Sequence, residues 1–238
     1  MTSSDSPVAK DNKDKVERRR PLVVAIDGPA ASGKSSTAQW VARTLGFRHV
    51  DSGSLYRAAT AAMLRREPDP AQWTEAAVLK AARGVTLQPG ETTFHPHLDG
   101  EDIDEELRGG DVTAHVSLVA RMPRVRAWVT EGVRAAASTL PVVVDGRDMG
   151  TVVFPRARVK IFLVADPWER AKRRLVQRLE RLPSDDEIAA ETEALVLRDA
   201  KDEAQTQRAP EAVLIDTTYL TQEEQVERIV AMARQAMR

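Results

Sequence analysis

The residues with the plainest chemistry run from Gly28 to Ser36, GPAASGKSS, where Gly28, Gly33, Lys34 and Ser35 fit the spacing G-x-x-x-x-G-K-[ST]. A tight glycine loop turns successive backbone N–H groups toward one point, and a helix that starts there adds partial positive charge. Such a segment holds an anion. Lys34 then reaches the β- and γ-phosphates of a nucleotide, and the Ser35 hydroxyl ligates Mg²⁺. Gly28, Pro29, Ala30, Ala31, Ser32, Gly33, Lys34, Ser35 and Ser36 are the expected phosphate-loop contacts. The plain alternative is a glycine-rich turn that happens to hold a lysine, and the flanks argue against it. Leu22 to Ile26 is an apolar, β-branched run of strand length. Ala38, Val41, Ala42 and Leu45 repeat at i, i+3, i+4, i+7, and Gly46 stands where a helix should stop.

Four further constellations could carry chemistry. DSGSLYR, Asp51 to Arg57, follows a short strand; Ser52 and Gly53 start a helix and Arg57 projects one turn on. It also reads as an ordinary cap followed by a surface arginine. VVVDGRDMG, Val142 to Gly150, is an apolar strand ending in Asp145, Arg147 and Asp148. Asp145 is placed like a strand-end acid that holds Mg²⁺ or its waters; a turn with a local Arg–Asp pair is the alternative. ERAKRRL puts Arg170, Arg173 and Arg174 on neighbouring turns of one helix. Cations there suit the charge that spreads over a transferring phosphoryl group, or form a solvated basic face. Arg198 and Asp202, at i, i+4, read by themselves as a surface ion pair. The four histidines do not cluster: His95 and His97 flank Pro96, His49 and His115 stand alone, and none is assigned a role.

The elements that must carry these residues alternate. Strands are expected at Phe47–Val50, Val142–Val144, Val159–Val164 and Val213–Ile215. Helices are expected from the DSGSLYR segment to about Arg66, over Ala71–Arg83, Gly110–Met122 and Pro123–Ser138, and from Pro167. Ser184 with Glu187 and Thr221 with Glu224 form capping boxes for two more, the first reaching about Ala204. Val85 to Ile103 differs: its Pro-Gly and Asp-Gly turns predict a small antiparallel sheet inserted in the α/β chain. Strands alternating with helices imply a parallel sheet covered on both faces, with ligands at the carboxyl ends of the strands. Across 238 residues the net charge is −1, which speaks against a general nucleic-acid binder. There is no cysteine, consistent with a cytoplasmic setting. No apolar run has the length of a membrane span. Residues 1–20 lack the apolar stretch of a signal peptide and read as a disordered tail, with Arg18-Arg19-Arg20 as a solvated charge run.

Together these segments resemble the bacterial cytidylate kinase family, which moves the γ-phosphoryl of ATP to CMP or dCMP. The carrying segments are AIDGPAASGKSS, DSGSLYR, GEDIDEELR, VSLVARMPRVR, DGRDMGTVVFP and VKIFL, spread over nearly all the chain after the tail. DGRDMGTVVFP is the most specific of them. The resemblance implies a P-loop nucleoside monophosphate (NMP) kinase fold: a five-stranded parallel sheet flanked by helices, with a small antiparallel insert and a short lid. The core is expected at about 21–50 and 140–238, the NMP-binding region at about 51–139 and the lid at about 166–185. It implies Mg²⁺ with ATP as cofactor, no nucleic-acid or membrane partner, and a monomer.

The resemblance also distributes roles. Ser117, Arg126 and Asp148 fall where the family contacts cytosine, whose N4 amino group donates to a carboxylate and whose N3 and O2 accept from arginine and hydroxyl. Arg57 and Arg147 fall on monophosphate positions, with Ser52, Tyr56 and Asp145 lining the same pocket. Arg198 and Asp202 match the pair that contacts the ribose, in place of the surface pair read above. Arg170, Arg173 and Arg174 match the lid over ATP. Lys34, Arg147 and Arg173 are the expected catalytic cations. One departure stands out: the family places another phosphate-binding arginine where this chain has Gln205. The segment that follows is short, and it is expected to draw Arg208 inward as a replacement. The alternatives are a kinase of a related acceptor such as UMP or a small metabolite, and a nucleotide-dependent switch.

Overall fold

A computed structural model describes residues 21–238, so the expected tail, Arg18-Arg19-Arg20 included, lies outside the described residues. The main sheet is built from β1 (Val23–Asp27), β2 (Arg48–Asp51), β6 (Val142–Gly146), β7 (Val159–Val164) and β8 (Val213–Asp216). Their order is β2-β6-β1-β7-β8, and every pairing is parallel. Each central strand is apolar on both sides because both faces are covered. Val24 and Ile26 of β1 pack with Ile161, Leu163, Val41 and Ile229 on one face, whereas Ala25 joins Val144, Leu55 and Val129 on the other. The first face carries α1 (Lys34–Leu45) and α8 (Gln222–Met237); the second carries α2 (Ser52–Leu64) and α5 (Pro123–Ala136). Burying an aliphatic side chain such as Ile26 or Ile229 fully is worth about 1.5–3 kcal/mol.

The predicted insert is a three-stranded antiparallel sheet, β3 (Val85–Pro89), β4 (Phe94–Leu98) and β5 (Glu101–Asp102). A proline inside a middle strand would cost a ladder hydrogen bond. Here β5 reaches only His97 and Leu98, so Pro96 pairs on one side alone, with Leu87.

One helix departs from the sequence expectation. The helix expected over Ala71–Arg83 is divided: a short turn spans Pro70–Gln72, and α3 (Glu75–Ala81) starts only after Trp73. The cause is local capping. The Asp69 carboxylate accepts from the Ala71 N–H at 3.0 Å, the Thr74 hydroxyl accepts from the Ala77 N–H at 3.2 Å, and Trp73 is buried with Nε1 donating to the Glu67 carbonyl at 2.8 Å. The remaining helices are α4 (Gly110–Ala120), α6 (Pro167–Leu179) and α7 (Asp185–Asp202), and α7 tightens into a single turn, Glu203–Gln205. Both predicted capping boxes are present. Among the described residues no helix is long and apolar enough to cross a membrane.

Candidate active site

The phosphate loop leaves the carboxyl end of β1, in the middle of the sheet. Gly28 has φ 150°, and a Cβ there would run into the Leu163 carbonyl of β7. Gly33 has φ 85° and caps α1 without a side chain, and the first turn of α1 carries no acid. The loop's backbone and the helix N-terminus therefore face a common point, as an anion site requires. Lys34 folds over the loop, its Nζ donating to the Pro29 carbonyl at 2.6 Å. Burial, with the Arg147 charge nearby, pushes its pKa down to about 7. Ser32 and Lys34 are buried, whereas Ser35 and Ser36 are exposed at the helix start.

Ser35 Oγ donates to Asp145 Oδ2 at 2.6 Å, so the loop serine and the strand-end acid of β6 meet as expected. Burial disfavours the Asp145 charge, but hydrogen bonds from His49 and Ser35 and the Lys34 charge hold its pKa below the usual value. A hydroxyl and a carboxylate side by side are hard oxygen donors, a set that fits Mg²⁺. Ser52 Oγ donates to the Asp145 carbonyl at 2.8 Å, and a Cβ on Gly146 would strike it.

The arginines gather beside this loop. Arg147 donates to the Gly28 carbonyl at 3.0 Å and pairs with Asp202 at 3.4 Å; Arg198 lies 3.9 Å from the same carboxylate. Arg57 donates to the Leu107 carbonyl at 2.9 Å and Thr113 Oγ1 at 3.0 Å. Burial, together with the charges of Arg147, Arg57 and Arg174 and against the pull of Asp202, lowers the pKa of Arg198 to about 10. The buried Nε atoms of Arg147 and Arg198 have no hydrogen-bond acceptor among the described residues. Four guanidinium groups so close, only two of them sharing Asp202, make a setting suited to an anion. Asp202 is thus the hub of two arginines, a role that its i, i+4 spacing from Arg198 alone conceals.

A second cluster lies farther out. Arg126 pairs with Asp148, donates to the Ala120 carbonyl at 3.0 Å and sits 5.9 Å from the Tyr56 ring centre. Asp148 is 5 % exposed, and burial raises its pKa while Arg126 opposes the rise. Burial pushes Tyr56 up to about 12, so its hydroxyl stays neutral. The cluster offers an acceptor, a forked donor and an aromatic face. Ser117 is half-buried on α4, and no side-chain hydrogen bond joins it to the cluster among the described residues.

The three α6 arginines singled out in the sequence diverge. Arg170 is buried and donates to the Ala30 carbonyl at 2.8 Å and to Asp199 at 2.5 Å. Arg173 donates to the carbonyls of Thr217 and Thr218 at 2.6 and 2.8 Å. Arg174 pairs with Glu191 at 3.3 Å. Arg208 is exposed, with no hydrogen bond or ion pair among the described residues; the shortened segment does not draw it inward. The turn Glu203–Gln205 ends α7 before that segment begins, so Arg208 is carried past the cluster.

Sequence reasoning missed three residues. Asp27, the last residue of β1, accepts from the Met149 and Gly150 N–H groups at 2.8 and 2.7 Å. It ties the phosphate loop's strand to the wide turn Met149–Val153, in which the Phe154 N–H reaches back to the Met149 carbonyl at 2.7 Å. Burial raises the Asp27 pKa to about 6. Asp199 accepts from the Ala30 N–H at 3.0 Å and so braces the loop from α7. His49, unassigned in the sequence, is buried with Nε2 donating to Asp145 Oδ1 at 2.7 Å. An acid just before the loop was visible for Asp27; nothing local marks Asp199 or His49.

A phosphate loop on a parallel sheet, with an arginine cluster at its rim, defines the class of P-loop phosphotransferases. The cytidylate kinase family model matches residues 24–235, and the chain belongs to that family, the nucleoside monophosphate kinases among the transferases. The chain is 41% identical over 214 residues to a cytidylate kinase of Lactiplantibacillus plantarum, covering 87% of this chain and 92% of that one. It is 40% identical over 219 residues to one from Chlorobaculum tepidum, with 87% and 91% covered. Among solved structures, a gluconokinase from Sinorhizobium meliloti aligns at 16% identity and TM-score 0.43, covering 92% of this chain and 95% of that one.

Proposed function

We propose that the chain transfers the γ-phosphoryl group of ATP to CMP or dCMP, giving ADP and CDP or dCDP. The observation that carries this reading is the Arg147 contact with the Gly28 carbonyl. It puts the arginine cluster directly against the phosphate loop, so two phosphate groups held in the two places face each other across one boundary. In the transfer, an oxygen of the acceptor phosphate bonds to the γ-phosphorus while the bond to the bridging oxygen of ADP breaks. The acceptor is an anion at neutral pH, so the protein need supply no general base. Its work is positioning and charge stabilisation.

Lys34 and the backbone N–H groups of residues 31–36 hold the ATP phosphates. Arg57 and Arg147 hold the acceptor phosphate, Arg198 and Asp202 take the sugar, and Arg173 with Arg170 and Arg174 belongs to a lid over ATP at about 166–185. Ser35 and Asp145 would hold Mg²⁺, which when bound neutralises charge on the β- and γ-phosphates. Asp148 accepts from cytosine N4–H₂, with Arg126, Ser117 and Tyr56 completing the base pocket. A uracil would present its O4 to the same carboxylate, so UMP is disfavoured. The same reading takes the chain as a monomer, and the lack of cysteine suits the cytoplasm.

The test is stoichiometry. With ATP, Mg²⁺ and CMP, ADP and CDP should appear one for one, and ADP should form far more slowly without an acceptor. Release of ADP at the same rate with and without CMP would defeat the proposal.

A further inference from the structure

His49 lies on the edge strand β2 and is 3 % exposed, yet both of its ring nitrogens are engaged. Nε2 donates to Asp145 Oδ1 at 2.7 Å, and Nδ1 meets Thr93 Oγ1 at 2.8 Å. Thr93 belongs to the tip of the inserted sheet, between β3 and β4. Two other contacts seat that tip on β2: the His49 N–H donates to the Thr92 carbonyl at 2.8 Å, and the Arg48 guanidinium binds the carbonyls of Gly90 and Glu91. The second oxygen of Asp145 accepts from Ser35 at 2.6 Å. One line of hydrogen bonds therefore runs Thr93, His49, Asp145, Ser35, from the insert to the first turn of α1.

We propose that His49 is a positioning residue for the metal-bearing side of the site: anchored by Thr93, it pins one oxygen of Asp145 and so aims the other at Ser35 and the Mg²⁺ that accompanies ATP. The role rests on the kinase reaction proposed above. A buried carboxylate held at one oxygen only by a rigid ring loses its freedom to rotate away, and partners of this kind typically change metal affinity by about 10- to 100-fold when removed. The same line makes the inserted sheet a support of the ATP side, although it lies in the acceptor-binding half of the chain.

The test is calorimetric titration of the full-length protein with ATP, with and without Mg²⁺, which reads the gain in affinity that the metal provides. His49→Leu should shrink that gain about 10-fold and leave metal-free ATP binding unchanged. His49→Gln, whose amide N–H reaches the position of Nε2, should restore most of it. Thr93→Val, which keeps the shape and removes the hydroxyl, should lose a smaller part. The proposal is overturned if His49→Leu keeps the full gain, if metal-free affinity falls equally, or if His49→Gln is no better than His49→Leu. Should His49→Leu fail to fold by circular dichroism, Thr93→Val decides: an undiminished gain overturns the proposal and a reduced one supports it. ATP binding needs no acceptor, so a wild-type protein that binds Mg²⁺ and ATP but does not phosphorylate CMP would defeat the proposed reaction and not the role of His49.

Discussion

The phosphate loop and the arginine cluster both offer positive charge, but they are built in opposite ways. The loop is contiguous, Gly28 to Ser36, and works through backbone N–H groups, a helix end and one buried lysine. The cluster is assembled from α2, the end of β6, α6 and α7, and works through guanidinium groups that lower one another's pKa. A backbone site costs little to keep, since its donors are fixed by the turn. A side-chain site stores like-charge repulsion and needs struts, here Asp202 and the carbonyls of Gly28 and Leu107. On the proposed reading the two halves have different tasks: the loop grips a group common to all nucleotides, and the cluster with the base pocket selects.

The sharpest way to break this division is at the loop. Lys34→Ala should lower turnover by on the order of 10²-fold or more, because a preorganised cation is removed from the transferring phosphoryl. The variant should stay folded by circular dichroism. Turnover near that of the wild type would remove Lys34 from the chemistry.

Asp27 joins the two regions, and its replacement probes the joint. Its pKa is 3.8 ordinarily and about 6 in the fold. Below pH 3.8 it is neutral folded or unfolded; between the two values the folded state keeps a proton that the unfolded state has lost. The associated stability is full below the unfolded value and is lost as pH rises through about 6. Asp27→Asn lacks this term. Urea unfolding at pH 4.5 and pH 7 should show wild type losing about 2 kcal/mol relative to Asp27→Asn over that interval. A constant difference between the two proteins would mean that Asp27 is not the buried acid described here. At pH 7 the same variant should raise KM for CMP more than KM for ATP, because the Met149 or Gly150 N–H loses an acceptor on the side of Asp148.

The proposed selection lies with Arg126 and Asp148. Asp148→Ala should narrow the ratio of kcat/KM for CMP over UMP by about 10-fold, within the 1–3 kcal/mol that a good base contact discriminates. An unchanged ratio would place base reading elsewhere. The smallest effect is expected at Arg208, which is exposed and unpaired among the described residues. Arg208→Ala should leave KM for CMP near the wild-type value, whereas Gln205→Arg should lower it. A large rise in KM for Arg208→Ala, at saturating ATP, would show that the segment closes inward during the reaction.

The same contrast explains what was legible in the sequence. The loop could be read because its spacing, its strand and its helix are neighbours in the chain, and the alternation of elements was enough for the parallel sheet and the insert. Pairings across the chain carry no local signal. Arg126 with Asp148 and Arg147 with Asp202 bridge 22 and 55 residues, and only a family resemblance placed them in one pocket. His49 was invisible because its meaning depends on Asp145, 96 residues away, and on a hairpin tip. The helix expected from Ala71 failed for a local reason, the competing caps of Asp69 and Thr74, which periodicity alone does not register.

The central claim is that the loop accepts ATP while the arginine and aspartate clusters choose a cytidine monophosphate. A coupled assay of ADP formation with CMP, dCMP, UMP and AMP, each tested alone with Mg²⁺ and ATP, addresses it most directly. The account predicts that CMP and dCMP are both phosphorylated and that UMP and AMP are slower by about 10-fold or more in kcat/KM. Equal rates with UMP or AMP, or no dependence on any acceptor, would contradict it.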